Sequence, residues 1–523
     1  MNTTQLKKGD QLENIIVETM AAEGKCIAHY NGQVVFVQGC APGDTVDIEL
    51  TKIKSSFLEG RTIRIQKLSS SRSTPFCSHF GTCGGCSWQH INYETQLEYK
   101  RQQVIDNLER IGGLELPTIN PIIGSTQTIY YRNKLDFTFT ASRWLTREEM
   151  GSENKFGEPG LGYHIPKMFD KVFDVKECFL QPDPSNAIRL LAREIAIQNE
   201  IPFFDLRKQI GFLRTLTIRV AQPQISIAGD HTISIVGPSS LGQSISSLQP
   251  TVSTVGNENQ STVGRAPTPS VGETMVILQV TYDKMEWTEK ILKGLSEKFP
   301  QITSINYVIN GKRNDTFADL DVICWKGNPF ITEKMQKPGS KELLQFRVGP
   351  KSFYQTNSLQ AYELYKVAYE MAALTGNELV YDLYTGTGTI ANFVAGKAKR
   401  VVGLEYVAAA IEDAKANSRL NGIGNTEFFA GDIKDLLSEQ FLSEHGHPDV
   451  VITDPPRGGM HEAVVKMLLK AAPQKIVYVS CNPATQARDM KLLSEDYKVT
   501  AVQPVDMFPH TIHVENVALL IKK

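Results

Sequence analysis

The chain has 523 residues, which at about 150 residues per domain predicts about three domains. A hydrophobic share of 41% with 21% charged residues is ordinary for a globular protein and excludes disorder of the whole chain. The formal net charge of -2 lacks the basic excess of many nucleic-acid-binding proteins, so any basic surface must be local.

Cysteine usage and the start of the chain indicate its compartment. Eight cysteines in a chain of this length do not form the disulfide framework of a small secreted domain. Residues 1–4 begin no apolar run of the secretory type, and no window of about 18 apolar residues predicts a membrane span. We therefore expect a cytoplasmic protein that spans no membrane, whose cysteines are metal ligands, nucleophiles or core residues.

The N-terminal segment alternates short apolar strands with turns. Residues 14–18, 32–37, 44–50 and 59–65 have the period-two pattern of strands. They predict a small OB-like all-β barrel over residues 1–70. Such barrels often bind single-stranded nucleic acid, although many only pack against a neighbour. A row of cations is interpreted equally well as a nucleic-acid surface or a solvated strand face: Lys52, Lys54, Arg61, Arg64, Lys67 and Arg72, interrupted by Glu59 alone.

Three cysteines fall within ten residues of the segment that follows the barrel. Cys77, Cys83 and Cys86 have the spacing Cys-x5-Cys-x2-Cys, with glycines that let the loop curl. This grouping predicts a metal or cluster site, with Cys178 as the best fourth ligand. Zinc and a [4Fe-4S] cluster both accept four thiolates, and the spacing does not choose between them. Three further cysteines look like small core residues: Cys26, Cys40 and Cys324.

The middle of the chain mixes helical and strand patterns. Apolar spacing predicts a helix from about residue 89 to 113, followed by a strand over 134–140. Residues 222–271 are rich in Ser, Gly, Thr, Gln and Pro, which predicts a flexible insertion because such a segment buries little surface. A strand resumes at residue 274. These patterns predict a central α+β domain over 71–335, split by the insertion.

The C-terminal part alternates apolar strands with helical patterns such as residues 408–420, which predicts an open, mostly parallel, doubly wound α/β sheet over 336–523. Ligands bind such sheets at the carboxyl ends of the strands. The predicted strands are residues 379–383, 400–405, 426–430, 448–454 and 475–480.

A glycine-containing loop follows the first of these strands. Gly386 and Gly388 let the backbone approach a ligand closely. Asp382, Glu405 and Asp432 stand at three successive strand ends, where carboxylates suit a cationic amino-acid tail, ribose hydroxyls and an adenine amino group. The third glycine of a dinucleotide fingerprint is missing. The pattern favours S-adenosylmethionine over a nicotinamide or flavin cofactor, and acids that serve only as helix caps are the alternative.

The next strand ends carry reactive side chains. Asp454 precedes two prolines that stiffen its loop, Cys481 follows the fifth strand, and Glu515 lies near the end of the sheet. A thiolate is needed when the target carbon is unreactive, as C5 of a pyrimidine is. Addition of the thiolate to C6 makes C5 nucleophilic toward a methyl group, and a base then removes the C5 proton. An amine target needs no thiolate.

Together these motifs resemble the RNA uracil-C5 methyltransferases, and specifically their iron-sulfur, ribosomal RNA branch. The likeness covers nearly the whole chain, and the N-terminal barrel looks like the TRAM RNA-binding domain. In chain order the matching motifs are the Cys77-x5-Cys83-x2-Cys86 spacing, residues 353–357, residues 382–388, residues 454–457, residues 480–483 and residues 513–515.

The resemblance implies a Rossmann-like methyltransferase domain and a role for each motif. Cys481 would be the nucleophile and Glu515 the base, while Asp454 would accept a hydrogen bond from uracil N3, which rejects cytosine. Arg132, Asn133 and Lys134 match a stretch that contacts RNA in relatives, and a polar strand start is the alternative. The implied cofactor residues are Gln355, Tyr384, Gly386, Thr389, Glu405, Asp432 and Asp454, and the implied [4Fe-4S] ligands are Cys77, Cys83, Cys86 and Cys178.

The sequence therefore predicts S-adenosylmethionine-dependent methylation of uridine C5 in RNA, with 23S rRNA as the expected partner and no obligate protein partner implied. Thr389 stands where relatives often have Asn. Two alternatives remain for the activity: a uracil-C5 methyltransferase that acts on transfer RNA, and an RNA amine methyltransferase in which Cys481 is inert. A non-catalytic RNA-binding protein with a degenerate cofactor site is a third.

Overall fold

The computed structural model describes residues 6–21, 24–146, 148–151, 157–221 and 272–523. The predicted insertion at residues 222–271 lies outside the described residues. Within the described part of the chain, no helix combines the length and the apolar character needed to cross a membrane.

The first five strands close into a barrel in the order β1-β2-β3-β5-β4. Val35, Val46 and Ile48 are fully buried inside it, because alternate side chains of each strand point inward. The sequence pattern predicts four of these strands and misses β2. The strands are β1 (Gln11–Met20), β2 (Cys26–Tyr30), β3 (Gln33–Gln38), β4 (Thr45–Ile53) and β5 (Phe57–Lys67).

Four of the six cations in the predicted row form ion pairs with nearby carboxylates of the same chain. Two of the acids, Asp47 and Glu49, lie on β4, which lies beside β5 in the barrel. The row is therefore a mixed-charge face, and the interpretation as a solvated strand face fits it better than a continuous basic surface. The pairs are Lys52–Glu59 at 3.1 Å, Arg61–Glu49 at 2.9 Å, Arg64–Asp47 at 2.8 Å and Arg72–Asp44 at 2.7 Å.

A seven-stranded sheet of order β12-β11-β10-β9-β6-β7-β8 forms the middle of the molecule. Its core includes Phe137, Leu216 and Ile305, and two helices pack their apolar residues against it. The strands are β6 (Lys134–Thr140), β7 (Gly160–His164), β8 (Val172–Asp174), β9 (Leu213–Val220), β10 (Thr274–Val280), β11 (Ile302–Ile309) and β12 (Val322–Gly327), and the helices are α2 (Ser185–Gln198) and α3 (Met285–Lys298).

The three predicted core cysteines differ in burial. Cys26 and Cys40 are buried, as predicted, but Cys324 is exposed, so that prediction is wrong. Cys324 lies on β12, an edge strand of the central sheet that buries little of either face. Apolar neighbours on an edge strand do not determine which side chains are enclosed.

A second seven-stranded sheet, of order β17-β16-β15-β18-β19-β21-β20, forms the C-terminal part. A hairpin, β13 (Ile331–Gln336) and β14 (Leu343–Val348), precedes it. The strands are β15 (Leu379–Leu383), β16 (Arg400–Glu405), β17 (Thr426–Ala430), β18 (Val450–Thr453), β19 (Lys475–Ser480), β20 (Tyr497–Val505) and β21 (Glu515–Lys522). The helices are α4 (Ser358–Ala372), α5 (Thr389–Val394), α6 (Ala408–Leu420), α7 (Ile433–Leu436), α8 (Glu439–His445), α9 (Glu462–Ala471) and α10 (Pro483–Leu493).

Strands β15 to β19 are parallel, so their carboxyl ends meet at one edge of the sheet. The five predicted strands match them closely. β21 is inserted antiparallel between β19 and β20, and the sequence pattern does not identify either of these last two strands. The antiparallel β21 brings its first residue, Glu515, to the same edge.

Helix α1 (Tyr93–Arg110) precedes the central sheet in the chain but packs on the C-terminal sheet. Val104 and Leu108 share a hydrophobic cluster with strands and helices of that sheet. Lys100 Nζ donates to Asp506 Oδ1 at 2.6 Å, and both side chains are fully buried. Helix α1 therefore lies within the predicted central domain in sequence but packs with the C-terminal sheet. The domain boundaries near residues 70 and 335 stay predictions.

Replacement of Lys100 by Met should cost about 3–5 kcal/mol of unfolding free energy, because the Asp506 carboxylate would be buried without its cation. Urea denaturation followed by circular dichroism measures the change. The matched control is Lys290→Met, which breaks an exposed pair with Glu286 and should cost no more than about 0.5 kcal/mol. Equal losses in the two variants would contradict the role of the buried pair.

Candidate active site

Asp382 lies at the centre of the site, near the carboxyl end of β15. Its Oδ2 accepts hydrogen bonds from the Ala391 amide at 3.0 Å and from the Thr385 hydroxyl at 2.5 Å. Its Oδ1 is buried and has no hydrogen-bond partner among the described residues. Burial, together with the nearby Asp454 and Glu405 carboxylates, raises the pKa of Asp382 to about 7. The free oxygen is therefore a ready acceptor for a cationic ligand.

The loop after β15 takes backbone conformations that favour glycine. Gly386 and Gly388 have φ angles of 54° and 75°. A Cβ atom on Gly388 would lie 2.9 Å from Cβ of Ala414, so a larger residue would push the loop from α6. Glu405, at the end of β16, accepts from the amides of Gly386 at 3.2 Å and Val407 at 2.9 Å. These contacts place the loop and the Glu405 carboxylate side by side.

The other predicted cofactor residues lie around this loop with different exposure. Thr389 begins α5, and its hydroxyl lies 3.3 Å from that of Thr387. Burial raises the pKa of Tyr384 to about 12. Asp432 caps α7 and is partly exposed, and its ion pair with Lys434 at 2.8 Å holds its pKa below the ordinary range. Asp432 is therefore at the rim of the site.

Gln355 is buried in the loop before α4, and its side chain lies close enough to Tyr365 to lower the pKa of the Tyr365 hydroxyl slightly against the other causes. Helix α4 packs on β18, β19 and β21. Burial and the carboxylates of Asp454, Asp382 and Glu515 raise the pKa of Tyr365 well above its ordinary value. No sequence pattern marks Tyr365 as a site residue, since a tyrosine in an apolar helix looks like an ordinary core residue.

Cys481 and Glu515 lie at the ends of neighbouring strands. Ser480 of β19 pairs with Asn516 of antiparallel β21, so Cys481 and Glu515 occupy the next position of the same register. Burial raises the pKa of the Cys481 thiol to about 11, with Glu515 and Asp454 adding to the effect and Arg457 opposing it. Glu515 is 2% exposed, and its Oε2 has no partner among the described residues. Burial and Asp454 raise its pKa well above the ordinary value.

Two loops are tied together beside the thiol. Asp454 follows β18, and burial raises its pKa to about 7. The Asn482 side-chain amide donates to the Arg457 carbonyl at 3.0 Å, and the Thr485 hydroxyl donates to the same oxygen at 3.2 Å. The Asp454 loop and the Cys481 turn therefore form one unit.

The four predicted ligand cysteines line one small pocket together with Tyr163 and several aromatic side chains. Burial raises the pKa of Cys83 to about 12 and that of Cys86 to about 11. The Tyr163 hydroxyl lies 3.8 Å from Cys178 Sγ. Within the described residues, no three His, Cys, Asp or Glu side chains are arranged to hold a single metal ion. The shared cavity brings Cys77 and Cys178 together across 101 positions of sequence.

The three residues expected to contact RNA have different environments. The Arg132 guanidinium lies 5.3 Å from the Phe508 ring centre, and Lys134 pairs with Asp136 at 3.1 Å. Asn133 is 6% exposed, and its side chain makes hydrogen bonds inside the protein. Arg132 and Lys134 are partly exposed, whereas Asn133 serves an internal contact.

Two family models match this chain. A model described as tRNA (Uracil-5-)-methyltransferase matches residues 316–523, and the TRAM domain model matches residues 10–63. The first match includes the carboxyl-end edge of the C-terminal sheet, and the second covers most of the barrel. The match confirms the predicted TRAM-like barrel.

Relatives match over nearly the full length. Uncharacterized RNA methyltransferases of Bacteroides thetaiotaomicron and Porphyromonas gingivalis are each 50% identical to it, covering 96% and 97% of this chain and 99% of each relative. A tRNA (uracil-54, C5)-methyltransferase of Pyrococcus abyssi, solved with S-adenosyl-L-homocysteine, is similar with a TM-score of 0.66 and 25% identity over 98% of this chain and 100% of that one. That likeness confirms the predicted fold class. The chain therefore belongs to the S-adenosylmethionine-dependent RNA (uracil-5) methyltransferase family and carries an N-terminal TRAM domain.

Proposed function

We propose that this enzyme methylates C5 of a uridine in 23S rRNA by adding Cys481 to C6 of the base. The observation that carries the proposal is the facing position of Cys481 and Glu515 at the ends of β19 and β21. An amine target needs neither a thiolate nor a base that removes a proton from carbon. The uridine must leave the helical stack, because C5 and C6 are not both reachable inside it.

Cys481 is partly exposed and has to lose its proton to solvent water before it can attack. Its pKa of about 11 means that the thiol is protonated at neutral pH in the free protein. Arg457 opposes this shift, and so favours the thiolate. The thiolate adds to C6, which converts C5 into the nucleophile that takes the methyl group.

Glu515 then removes the C5 proton, and the C5–C6 double bond re-forms as the C6–S bond breaks and the thiolate leaves. Its raised pKa makes the ionised carboxylate a strong proton acceptor, and its free Oε2 is available for the proton. Asp454 accepts a hydrogen bond from uracil N3. Cytosine has no proton at N3, so it cannot make this contact.

S-adenosylmethionine supplies the methyl group. The residues present fit it, since buried Asp382 Oδ1 lacks a partner and the site otherwise concentrates carboxylates, which suits a cationic ligand. Exposed Tyr406 and Val407, directly after Glu405, offer an apolar face for adenine. The residues that would hold the cofactor are Gln355, Tyr384, Gly386, Thr389, Glu405, Asp432 and Asp454.

The four cysteines are proposed to hold a [4Fe-4S] cluster. The support is the shared cavity of Cys77, Cys83, Cys86 and Cys178, and the resemblance of their spacing to the ribosomal RNA branch. The methylation moves no electrons, so the cluster would have a structural role. The same resemblance favours 23S rRNA over transfer RNA, the substrate in the name of the Pyrococcus abyssi neighbour.

Incubation with radiolabelled S-adenosylmethionine and 23S rRNA from a strain that lacks this gene should yield 5-methyluridine after digestion to nucleosides.

Glu515→Gln should form the methylated adduct but release tritium from 5-tritiated uridine RNA at least about a hundredfold more slowly, since no base removes the C5 proton. Lys466→Ala, an exposed α9 variant, is the control and should keep the wild-type rate. If label enters transfer RNA but not 23S rRNA in parallel incubations, the substrate is transfer RNA. A methylated exocyclic amine would contradict the C5 reaction.

Alkylation of Cys481 should accelerate about tenfold per pH unit up to a pH of about 11, because only the thiolate reacts and its fraction grows at that rate below the pKa. Peptide mass mapping after iodoacetamide treatment follows this cysteine separately. Arg457→Ala removes a cation that lowers the thiol pKa, so alkylation at a fixed pH should slow. A rate that is flat between pH 7 and 10 would contradict the protonated thiol.

Protein purified without oxygen should contain iron and acid-labile sulfide in equal amounts and absorb broadly in the visible range. Cys178→Ser should abolish both signals, because it removes one of the four thiolates. Cys324→Ser, an exposed cysteine outside the cavity, is the matched control and should retain them. Bound zinc with no sulfide would replace the cluster with a zinc site.

A further inference from the structure

Asn133 connects the central sheet to the loop that carries Gln355. The Asn133 amide donates to the Thr356 carbonyl at 2.8 Å, and its side-chain Nδ2 lies 2.9 Å from the Gln355 carbonyl. The same Nδ2 lies 2.8 Å from Ser358 Oγ and 3.2 Å from Glu333 Oε1. One side chain from the start of β6 therefore contacts the loop before α4, the first turn of α4 and the hairpin strand β13.

The whole contact is sealed from solvent. Asn133, Ser358 and Glu333 are 6%, 0% and 1% exposed, and the Ser358 hydroxyl donates to Glu333 Oε1 at 3.1 Å. Hydrogen bonds in such an environment are costly to leave unmade, because a buried polar atom without a partner loses its solvation. The geometry of this group is consequently fixed by all of its members together.

A second residue of the central sheet holds the other end of the same loop. Arg219 of β9, which pairs with Lys134 of β6, donates from Nη2 to the Ser352 carbonyl at 2.8 Å. We call residues 350–358 the glutamine loop. It is held at both ends by the central sheet, while its middle carries exposed Phe353 and buried Gln355.

The glutamine loop leads directly into the reacting end of the site. The Gln355 side chain lies near Tyr365, and Tyr365 is close enough to the carboxylates of Asp382, Asp454 and Glu515 for them to act on it electrostatically. A displacement of the Gln355 backbone would therefore move a side chain that reaches the acidic edge of the sheet. Asn133, directly before the expected RNA contact Lys134 at the start of β6, sets that backbone.

We propose that Asn133 is a positioning residue for the cofactor site: it fixes the Gln355 backbone so that the Gln355 side chain meets S-adenosylmethionine. This inference rests on the proposed function, since Gln355 is a cofactor residue only there. The expected role of Asn133 as an RNA contact is replaced by this internal one. The central sheet then serves both ligands, RNA on its surface and the cofactor through Asn133.

Isothermal titration with S-adenosylhomocysteine tests the proposal, and fluorescence anisotropy with a fluorescein-labelled uridine-rich RNA provides the second readout. Asn133→Ala should weaken S-adenosylhomocysteine binding about tenfold, the effect of one lost buried hydrogen bond, and Gln355→Ala should weaken it similarly. RNA affinity should stay within about twofold of wild type, because the Asn133 side chain is buried and the backbone hydrogen bonds of Asn133 to Thr356 and Val220 do not depend on it. The matched control is Asn306→Ala, a buried asparagine of the same sheet that bonds Ser304 and Val276. It should lower the melting temperature without changing affinity for S-adenosylhomocysteine.

A reversed pair separates positioning from simple stabilisation. The double variant Asn133→Asp with Glu333→Gln exchanges the donor and the acceptor between positions 133 and 333. Its melting temperature should therefore be higher than that of Asn133→Ala and close to that of the wild type. A carboxylate oxygen would then face the Gln355 carbonyl, so affinity for S-adenosylhomocysteine should stay low. Recovery of that affinity together with the melting temperature would overturn the proposal. The proposal would also be overturned if Asn133→Ala bound S-adenosylhomocysteine as tightly as the wild type while Gln355→Ala bound it more weakly. If the wild-type protein did not bind S-adenosylhomocysteine at all, the proposed function would be overturned as well.

Discussion

The concentration of desolvated carboxyl groups at one edge of the C-terminal sheet is the constraint on which the site depends. Asp382 and Asp454 have pKa values raised to about 7, and the pKa of Glu515 is raised well above its ordinary range. Such a cluster destabilises the free protein whenever it ionises, since burial and mutual repulsion both disfavour the charge. A cationic ligand relieves that cost. The same edge also supplies a proton acceptor, so the binding and the chemistry use one electrostatic feature.

Holding these groups in place requires parts of the chain far from them in sequence. Lys100 of α1 binds Asp506 and the Phe508 carbonyl, and so fixes the chain between β20 and Glu515. Asn133 fixes the loop that carries Gln355. Both contacts are buried, so they are rigid, and both come from residues N-terminal to the family match at 316–523. The methyltransferase domain is therefore completed by helices and strands outside it.

Local pattern predicts much of this site, because parallel strands are apolar runs and their carboxyl ends are where ligands bind. Asp382, Glu405 and Cys481 follow from this rule alone. Tyr365 does not, since its role depends on which face of α4 meets the sheet. The antiparallel insertion of β21 is a tertiary feature that no local pattern records. Asn133 is a third case: the family resemblance implies an RNA contact there, and only the fold shows that its side chain bonds another segment of the same chain.

Methylation at C5 depends on Cys481 acting as a nucleophile. Incubation of the enzyme with S-adenosylmethionine and RNA transcripts that contain 5-fluorouridine, followed by peptide mass mapping, tests this claim. Fluorine at C5 cannot leave as a cation, so the enzyme should stop as a methylated covalent adduct on Cys481, and Cys481→Ala should form none. Binding of both ligands without any adduct, or an adduct on another cysteine, would contradict the mechanism.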